Sequence, residues 1–389
     1  MMNYRRYLLL VIVMLSFPSL VWGNEFRLVP SISVKEEYND NILFDTDGAK
    51  KDFITTISPS LEMVNNTEKL ETDLLARLNR FDYADNREFS ATDQLYDGKF
   101  RYHATPLFNI STEAGYVRDS QPDRDIVTSG IILSAVPRNR INASLSADYQ
   151  FSEKTAAVVS YVFGSDKYES TKYSDDLSHD VSAGLVYDLG QYFQRVKGRA
   201  NLGYSDYVFS DSRINSVMGT VGFSRDFSET GSIMMDGGIR HTRSEFSADQ
   251  FQLNSDGWGW VGIVSLNYKG ELGNGSLTYN RDITPASGLN GAVERNSLTL
   301  STQYRMTYEF SILFSAGYYT NKSDAGQFSS QVIDQRTIDV NPGVRYEFSK
   351  NIYLESSYDY TAVDDLAANT TVNRNLLSIR LYIQHPILE

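Results

Sequence analysis

The sequence holds few residues that could carry acid–base, nucleophilic or metal chemistry. It has 389 residues, no cysteine and four histidines: His103, His179, His241 and His385. No two of the histidines have metal-ligand spacing, so we predict no zinc site and no cofactor. Each histidine is predicted to be a polar residue at a turn or loop. Catalytic serine–histidine or aspartate–histidine pairs form between residues distant in sequence, so a hydrolase stays open as the less favoured alternative.

Acidic and glycine-containing segments could bind ions or phosphates. The segments 173–176 and 363–365 carry carboxylates that could bind Ca²⁺, but they lack the spaced ligands of a dedicated loop, and we interpret them as solvated. The Gly273–Gly275 segment indicates a turn rather than a phosphate loop. The net charge of −13 argues against nucleic acid as a partner.

The strongest pattern is a strict alternation of apolar and polar residues. In 141–151 the odd-numbered residues are apolar and the even-numbered ones polar, which predicts a strand with two unlike faces. Charged residues occupy the polar face of similar segments, and they need water or partners that a packed sandwich core lacks. We therefore predict that the following residues line a water-filled lumen and the substrate path: Lys197, Arg199, Asn201, Arg305, Asp339, Arg345, Glu347, Arg380 and Tyr382.

Eighteen such segments follow one another, with short turns and long polar loops in alternation, as in outer-membrane barrels. The predicted strands are 27–39, 52–64, 68–83, 92–103, 107–118, 139–151, 155–168, 178–189, 193–207, 213–227, 231–245, 257–269, 273–284, 295–306, 310–321, 334–348, 352–363 and 373–385. An even count places both termini in the periplasm. The apolar run 126–136 would break the alternation of direction, so we assign it to an external loop. Sixteen strands remain the alternative.

Aromatic residues gather where the predicted strands end, as expected of two membrane-interface belts. The belt residues are Tyr149, Tyr187, Phe223, Tyr268, Tyr304 and Tyr346 before short turns, and Tyr204 and Tyr358 toward long loops. The predicted fold is all-β: a transmembrane, antiparallel, up-and-down barrel in contact with outer-membrane lipid.

The N-terminus has the pattern of a secretory signal peptide. Arg5 and Arg6 precede the apolar run 8–15, and 21–23 offers a cleavage site, so we expect cleavage after Gly23. An uncleaved anchor is the alternative, but the run is short for a membrane span. We predict residues 1–23 as the signal peptide and 24–389 as one barrel domain, exported to the Gram-negative outer membrane.

Two opening segments, 31–43 and 53–62, resemble the start of members of the β-barrel porin 2 family of bacterial outer-membrane proteins. The most specific parts of the resemblance are Tyr-Asn-Asp-Asn-Ile at 38–42 and Ser-Pro at 58–59. The turn at 149–155 also fits. The resemblance implies the outer-membrane exit of a Wzx/Wzy-type exopolysaccharide pathway for a biofilm or capsule matrix. It also implies a periplasmic polysaccharide-export protein as partner.

We therefore predict a passive pore, not an enzyme, that moves its substrate, a polysaccharide, through a polar lumen. The alternative is a general or plugged outer-membrane barrel with a structural or surface-adhesion role. The sequence leaves open which polymer passes, whether a loop or a partner plugs the lumen, and the oligomeric state. The C-terminal segment 387–389 is not aromatic, unlike the end of many such barrels.

Overall fold

A computed structural model describes residues 25–132, 134–248 and 251–387, apart from the side chains of 247–248 and 251–253. The predicted signal peptide lies outside the described residues. The strands are β1 (Glu25–Asn39), β2 (Asp52–Asn66), β3 (Leu70–Tyr83), β4 (Ala91–Thr105), β5 (Phe108–Asp119), β6 (Arg138–Ser152), β7 (Thr155–Tyr168), β8 (Asp176–Asp188), β9 (Val196–Phe209), β10 (Ser212–Asp226), β11 (Gly231–Ala248), β12 (Phe251–Lys269), β13 (Gly273–Pro285), β14 (Ala292–Arg305), β15 (Phe310–Ser323), β16 (Ile333–Ser349), β17 (Ile352–Asp365) and β18 (Thr370–Gln384).

Two short helices interrupt this series: a 3₁₀ turn at Arg87–Phe89 and α1 at Ile126–Ser129. No helix among the described residues is long and apolar enough to cross a membrane.

The strands form one closed antiparallel sheet. Each strand pairs with its two sequence neighbours, and β1 closes the ring by pairing with both β2 and β18. Ser31, for example, faces Ser60 on β2 and Gln384 on β18. Closure satisfies edge groups that an open sheet would leave unpaired. The predicted barrel of 18 strands is confirmed, and the alternative of 16 is excluded.

The connections differ between the two ends of the barrel. One end carries 67–69, 106–107, 153–154, 189–195, 227–230, 270–272, 306–309 and 350–351. The other carries the longer 40–51, 120–137 and 324–332, with shorter links between them. The predicted strand ends at 207, 213, 245 and 257 were wrong, because β9 to β12 continue into the segments between them. Their Ser-, Asn- and Asp-rich composition resembles a loop, but antiparallel pairing across the turn keeps them extended.

One ladder is shorter than its neighbours. β12 pairs with β11 along its whole length, from Phe251 to Tyr268. It pairs with β13 only between Gly262 and Lys269, opposite Asn274 to Arg281. Among the described residues, no strand pairs with 254–261 on that edge of β12. The upper part of β13 pairs with β14 alone.

Candidate functional site: the constricted lumen

The residues between β5 and β6, 120–137, leave the wall and cross the interior of the barrel; we call them the crossing segment. It starts at Asp119 and returns at Arg138, which are paired neighbours on β5 and β6. Its α1 helix contacts β15 and β16. In an 18-stranded ring these strands lie almost opposite its origin. The segment assigned from the sequence to an external loop therefore lies inside the barrel, because the apolar Ile126 and Ile131 are buried there rather than exposed to water.

A buried arginine holds the base of the crossing segment. Arg138 donates to Asp119 at 2.6 Å, to Asp125 at 2.8 Å and to Asp166 at 3.2 Å. Arg140 also binds Asp125 and Asp166. Removing charges from water is costly unless each is paired and hydrogen-bonded, and here the two arginines are matched by three carboxylates. The cluster fixes the direction in which the chain enters the lumen.

Arg124 closes the crossing segment on itself. Its Nη1 donates to the carbonyl of Val136 at 2.7 Å, and its Nε lies 3.5 Å from Asp119. The guanidinium also sits 5.8 Å from the centre of the Tyr168 ring. Burial lowers the pKa of Arg124 from its ordinary value. The segment is thus a compact element rather than an extended thread.

Side chains of the opposite wall bind backbone carbonyls at the far end of the segment. The Tyr319 hydroxyl donates to Val127 at 2.5 Å, and the Asn321 amide donates to Ser129 at 2.8 Å. The Thr337 hydroxyl donates to Gly130. These bonds give partners to carbonyls at the end of α1, where Ser129 and Gly130 are buried.

A third anchor joins the crossing segment to β18. Arg374 binds Asp123 at 2.5 Å and Asp359, on β17, at 2.6 Å. Its guanidinium lies 4.6 Å from the centre of the Phe44 ring. Burial alone would raise the pKa of Asp123, but the charge of Arg374 and its hydrogen bond lower it below the ordinary value. Asp123 is therefore held as a carboxylate.

A second element also enters the lumen: the upper part of the β13–β14 hairpin, residues 281–294, which we call the inner hairpin. Its Ile283 and Ala292 pack in an apolar cluster with Phe328 and with residues of β9 and β10. The carbonyl of Gly288 accepts a hydrogen bond from the Ser174 backbone at 2.9 Å. The wall residues of the cluster are Tyr207, Phe209 and Ile214. The hairpin thus lies on the lumen side of β9 and β10.

Two cavities lie beside the crossing segment, which we name the first and the second passage, and the inner hairpin lines only the second. The first passage, of about 360 Å³, lies toward β1–β4 and β16–β18, and Lys35, Glu37, Asp93 and Arg380 are among its lining residues. The second passage, of about 210 Å³, lies toward β6–β8 and the inner hairpin. Its lining residues include Asp125, Arg140, Asp176, Ser178 and Arg295. Both passages are lined by charges of both signs.

The residues predicted to line the lumen lie on the strand face that meets the inserted elements. Arg345, Asp339 and Glu347 share the face of Thr337, and Arg380 and Tyr382 share that of Arg374. Lys197, Arg199 and Asn201 share the face of Tyr207, and Arg305 shares that of Arg295. Two of the arginines pair with carboxylates of a nearby strand: Arg199 with Asp236 at 3.3 Å, and Arg345 with Glu355 at 2.7 Å.

Tyr382 takes part in an aromatic platform on the same wall. Its ring stacks on that of Tyr353, with centroids 4.8 Å apart and planes 20° apart. The Arg345 guanidinium lies 4.5 Å from the centre of the Tyr353 ring. Glu355 accepts from Arg345 and lies 3.9 Å from Arg380. A flat apolar face next to charged hydrogen-bonding groups suits a ring that carries hydroxyls.

The opposite strand face is apolar and exposed. Leu202, Val221 and Ile239 show between 61% and 70% of their surface. The predicted belt residues are all exposed on this face: Tyr149, Tyr187, Tyr204, Phe223, Tyr268, Tyr304, Tyr346 and Tyr358. A closed barrel with an apolar exterior and a polar interior has the arrangement that crosses a bilayer with strands. The protein is a multi-strand β-barrel of the Gram-negative outer membrane.

The prediction that each histidine lies at a turn or loop was wrong for three of them. His103, His179 and His241 lie within β4, β8 and β11. His103 contacts Asn109 at 2.7 Å and Glu71 at 3.2 Å, and His179 contacts the Tyr161 hydroxyl at 2.8 Å. Cross-strand partners hold these rings. Within the described residues, no three His, Asp or Glu side chains converge as a metal site would require.

Sequence reasoning missed the crossing segment as the main functional element. The available signal was the pair of isoleucines Ile126 and Ile131 in a segment assigned to a loop, since burial of apolar side chains is favourable. The buried arginines Arg124 and Arg138 gave no separate signal, because their three carboxylate partners lie on β5, in the crossing segment and on β7.

No family model and no curated protein matches the chain. Solved structures with a similar course include OccAB4 of Acinetobacter baumannii, at 11% identity over 94% of this chain and 99% of that one, with a TM-score of 0.48. OpdO of Pseudomonas aeruginosa has 11% identity over 94% and 98%, with a TM-score of 0.46. The alcaligin outer-membrane receptor FauA of Bordetella pertussis has 10% identity over 93% and 76%, with a TM-score of 0.44. The fold assignment rests on the strand order of this chain itself.

Proposed function

We propose that this barrel is a passive pore for small polar solutes, and that the crossing segment sets its size limit. The observation that carries the proposal is the crossing segment itself, which is anchored to β15 and β18 and has a cavity on either side. A solute must pass through one of these narrow, charged openings. No covalent step is part of the proposal.

The charges indicate what kind of solute passes. In the first passage Lys35 pairs with Glu37, and Arg374 pairs with Asp123 and Asp359. Paired charges of both signs offer many hydrogen bonds but little net field, so we expect weak ion selectivity. Transport needs binding that is favourable enough to admit a solute and weak enough to release it. Uncharged or zwitterionic polar solutes fit this lining.

The test is a size series. The purified full-length protein is placed in liposomes, and swelling is measured in isotonic solutions of a monosaccharide, a disaccharide and a trisaccharide. The proposal expects fast swelling with the smallest sugar and a steep fall with size. A matched barrel without the crossing segment should lose that dependence. Failure of wild-type liposomes to swell with any solute would instead favour a plugged barrel with a structural or adhesive role.

A second candidate function is the export of an exopolysaccharide that a periplasmic export protein delivers to the barrel. The feature that favours it is the Tyr353–Tyr382 platform with Arg345, which can stack on a sugar ring and bind its hydroxyls. A chain of sugars would also require the crossing segment to move aside. A deletion strain tests this: unchanged surface and secreted polysaccharide would rule the role out, while leaving the pore itself untouched.

A further inference from the structure

The barrel wall has a gap in its hydrogen bonding between β12 and β13, which we call the seam. The β12–β13 ladder ends at Gly262 and Arg281. A transmembrane strand takes about 9–11 residues, so this ladder is shorter than a full crossing. Beyond it, β12 continues outward while the inner hairpin turns into the lumen, behind β9 and β10. The residues 254–261 of β12 have an unpaired edge there, within the described part of the chain.

A small number of side-chain contacts, rather than backbone hydrogen bonds, bridge the seam. Arg240, on the lumen face of β11, donates to Glu294 of the inner hairpin at 2.7 Å. Glu294 also pairs with Arg281, and the Arg281 guanidinium lies 4.2 Å from the centre of the Trp260 ring. We call Arg240, Glu294 and Arg281 the latch. Gly259 lets it form, because a Cβ there would lie 2.8 Å from the Arg240 guanidinium.

The two sides of the seam are unusual for this barrel. Outside, Trp258 and Trp260 are 74% and 49% exposed, and tryptophan collects at membrane interfaces. Inside, where other lumen walls are polar, the lining is the apolar cluster of Tyr207, Phe209 and Ile283. Apolar side chains thus lie on both sides of the latch, and those on the inside are buried where the inner hairpin packs on β9 and β10.

We infer that the seam between β12 and β13 is a lateral portal to the outer leaflet, through which the acyl chain of an amphiphilic molecule reaches the lumen when the latch opens. An amphiphile fits because its chain would contact the apolar lining while its polar head stays near the charged latch and the water-filled lumen. The route is separate from the axial passages, so polar-solute flux and portal function can fail independently.

The absence of cysteine allows a clean test in the full-length protein. A photoreactive benzoylphenylalanine replaces Phe209, on the lumen face inside the seam, in liposomes that contain a radiolabelled dodecyl phosphocholine. The lipid-facing Leu202 serves as positive control position, and its lumen-facing neighbour Asn201 as negative control position. The portal predicts labelling at positions 209 and 202 but not at 201.

A covalent crosslink across the seam then tests whether labelling at position 209 requires the seam to open. Arg240→Cys with Glu294→Cys is bridged by a short, reducible bis-thiosulfonate crosslinker. The matched control is Leu277→Cys with Leu300→Cys, which face each other across the intact β13–β14 ladder. We expect the seam lock to abolish labelling at 209 and reduction to restore it, with labelling at 202 and sugar swelling unchanged. No labelling at 209 in the unlocked protein, or labelling that the lock leaves intact, overturns the portal.

Discussion

Asp123, in the segment that crosses the lumen, and Arg374, on β18, form an ion pair at 2.5 Å. This contact joins two residues far apart in the sequence and ties the inserted chain to β18. Arg374 also binds Asp359 at 2.6 Å. The size of the first passage depends on this pair, because both residues line it.

Because of the Asp123–Arg374 pair, the size of the pore should depend on pH. Burial opposes ionisation of Asp123, but Arg374 lowers its pKa below the ordinary 3.8. A lowered pKa means that the stabilisation is fully present above about pH 3.8 and is lost as pH falls through the folded-state value. Single-channel conductance should therefore stay constant from neutral pH to about pH 4 and rise below it. Asp123→Asn should conduct more at neutral pH and lack that acid step. A wild-type transition at pH 5 or above would contradict this account.

The contact of Gly130 with Tyr319 should be sensitive to a single methyl group. Gly130 has a φ of +68°, and a Cβ there would lie 2.6 Å from the Cβ of Tyr319. Gly48 has a similar φ of +73° but open space around it. Both alanine variants bear the left-handed conformation, which costs about 1–2 kcal/mol. Only Gly130→Ala should also displace the crossing segment, which a higher sugar-swelling rate would report. Equal rates in the two variants would show that the close approach is unimportant.

The buried Arg138 should be the most costly charge to remove. Arg138→Gln leaves Asp119, Asp125 and Asp166 without their shared partner, and breaking a buried pair costs about 3–5 kcal/mol. The control is Arg118→Gln, whose exposed pair with Glu169 at 2.9 Å should contribute no more than about 1 kcal/mol. Urea unfolding in lipid vesicles measures both. Similar losses for the two variants would contradict the assigned burial.

Adjacent residues of β9 should respond oppositely to a new charge. Leu202 faces lipid and is 69% exposed, whereas Asn201 faces the lumen and donates to Thr220 at 3.2 Å. Leu202→Arg should destabilise the barrel by about 2–4 kcal/mol if it lies near the bilayer midplane. Asn201→Arg should change stability little and shift ion selectivity toward anions. Vesicle unfolding and reversal potentials test the pair. If the Leu202→Arg barrel is as stable as the wild type, the assignment of Leu202 to the lipid-facing side is wrong.

The strands could be predicted from the sequence because alternation depends on local chain geometry alone. The predicted strand at 139–151, for example, lies within β6, Arg138–Ser152. Where composition masked the alternation, as in 254–256 near the start of β12, the prediction began the strand too late. The register across each ladder then follows from the turns.

The constriction could not be predicted, because its contacts join distant residues. Asp123 meets Arg374 of β18, and Val127 meets Tyr319 of β15, inside the lumen. Nothing in the neighbouring sequence specifies these partners. The seam at β12 and β13 was hidden for a related reason: both strands alternate normally, and only the three-dimensional register reveals where their pairing stops.

The most direct test of the central claim compares the single-channel conductance of two barrels in planar bilayers. One is the wild-type protein, and the other has residues 121–136 replaced by a short glycine–serine turn that keeps Asp119 and Arg138 in their ladder. We expect a small, steady wild-type conductance and a several-fold larger one without the crossing segment. Equal conductances, or a wild-type protein that never conducts while the shortened one also stays closed, would contradict a pore constricted by this segment.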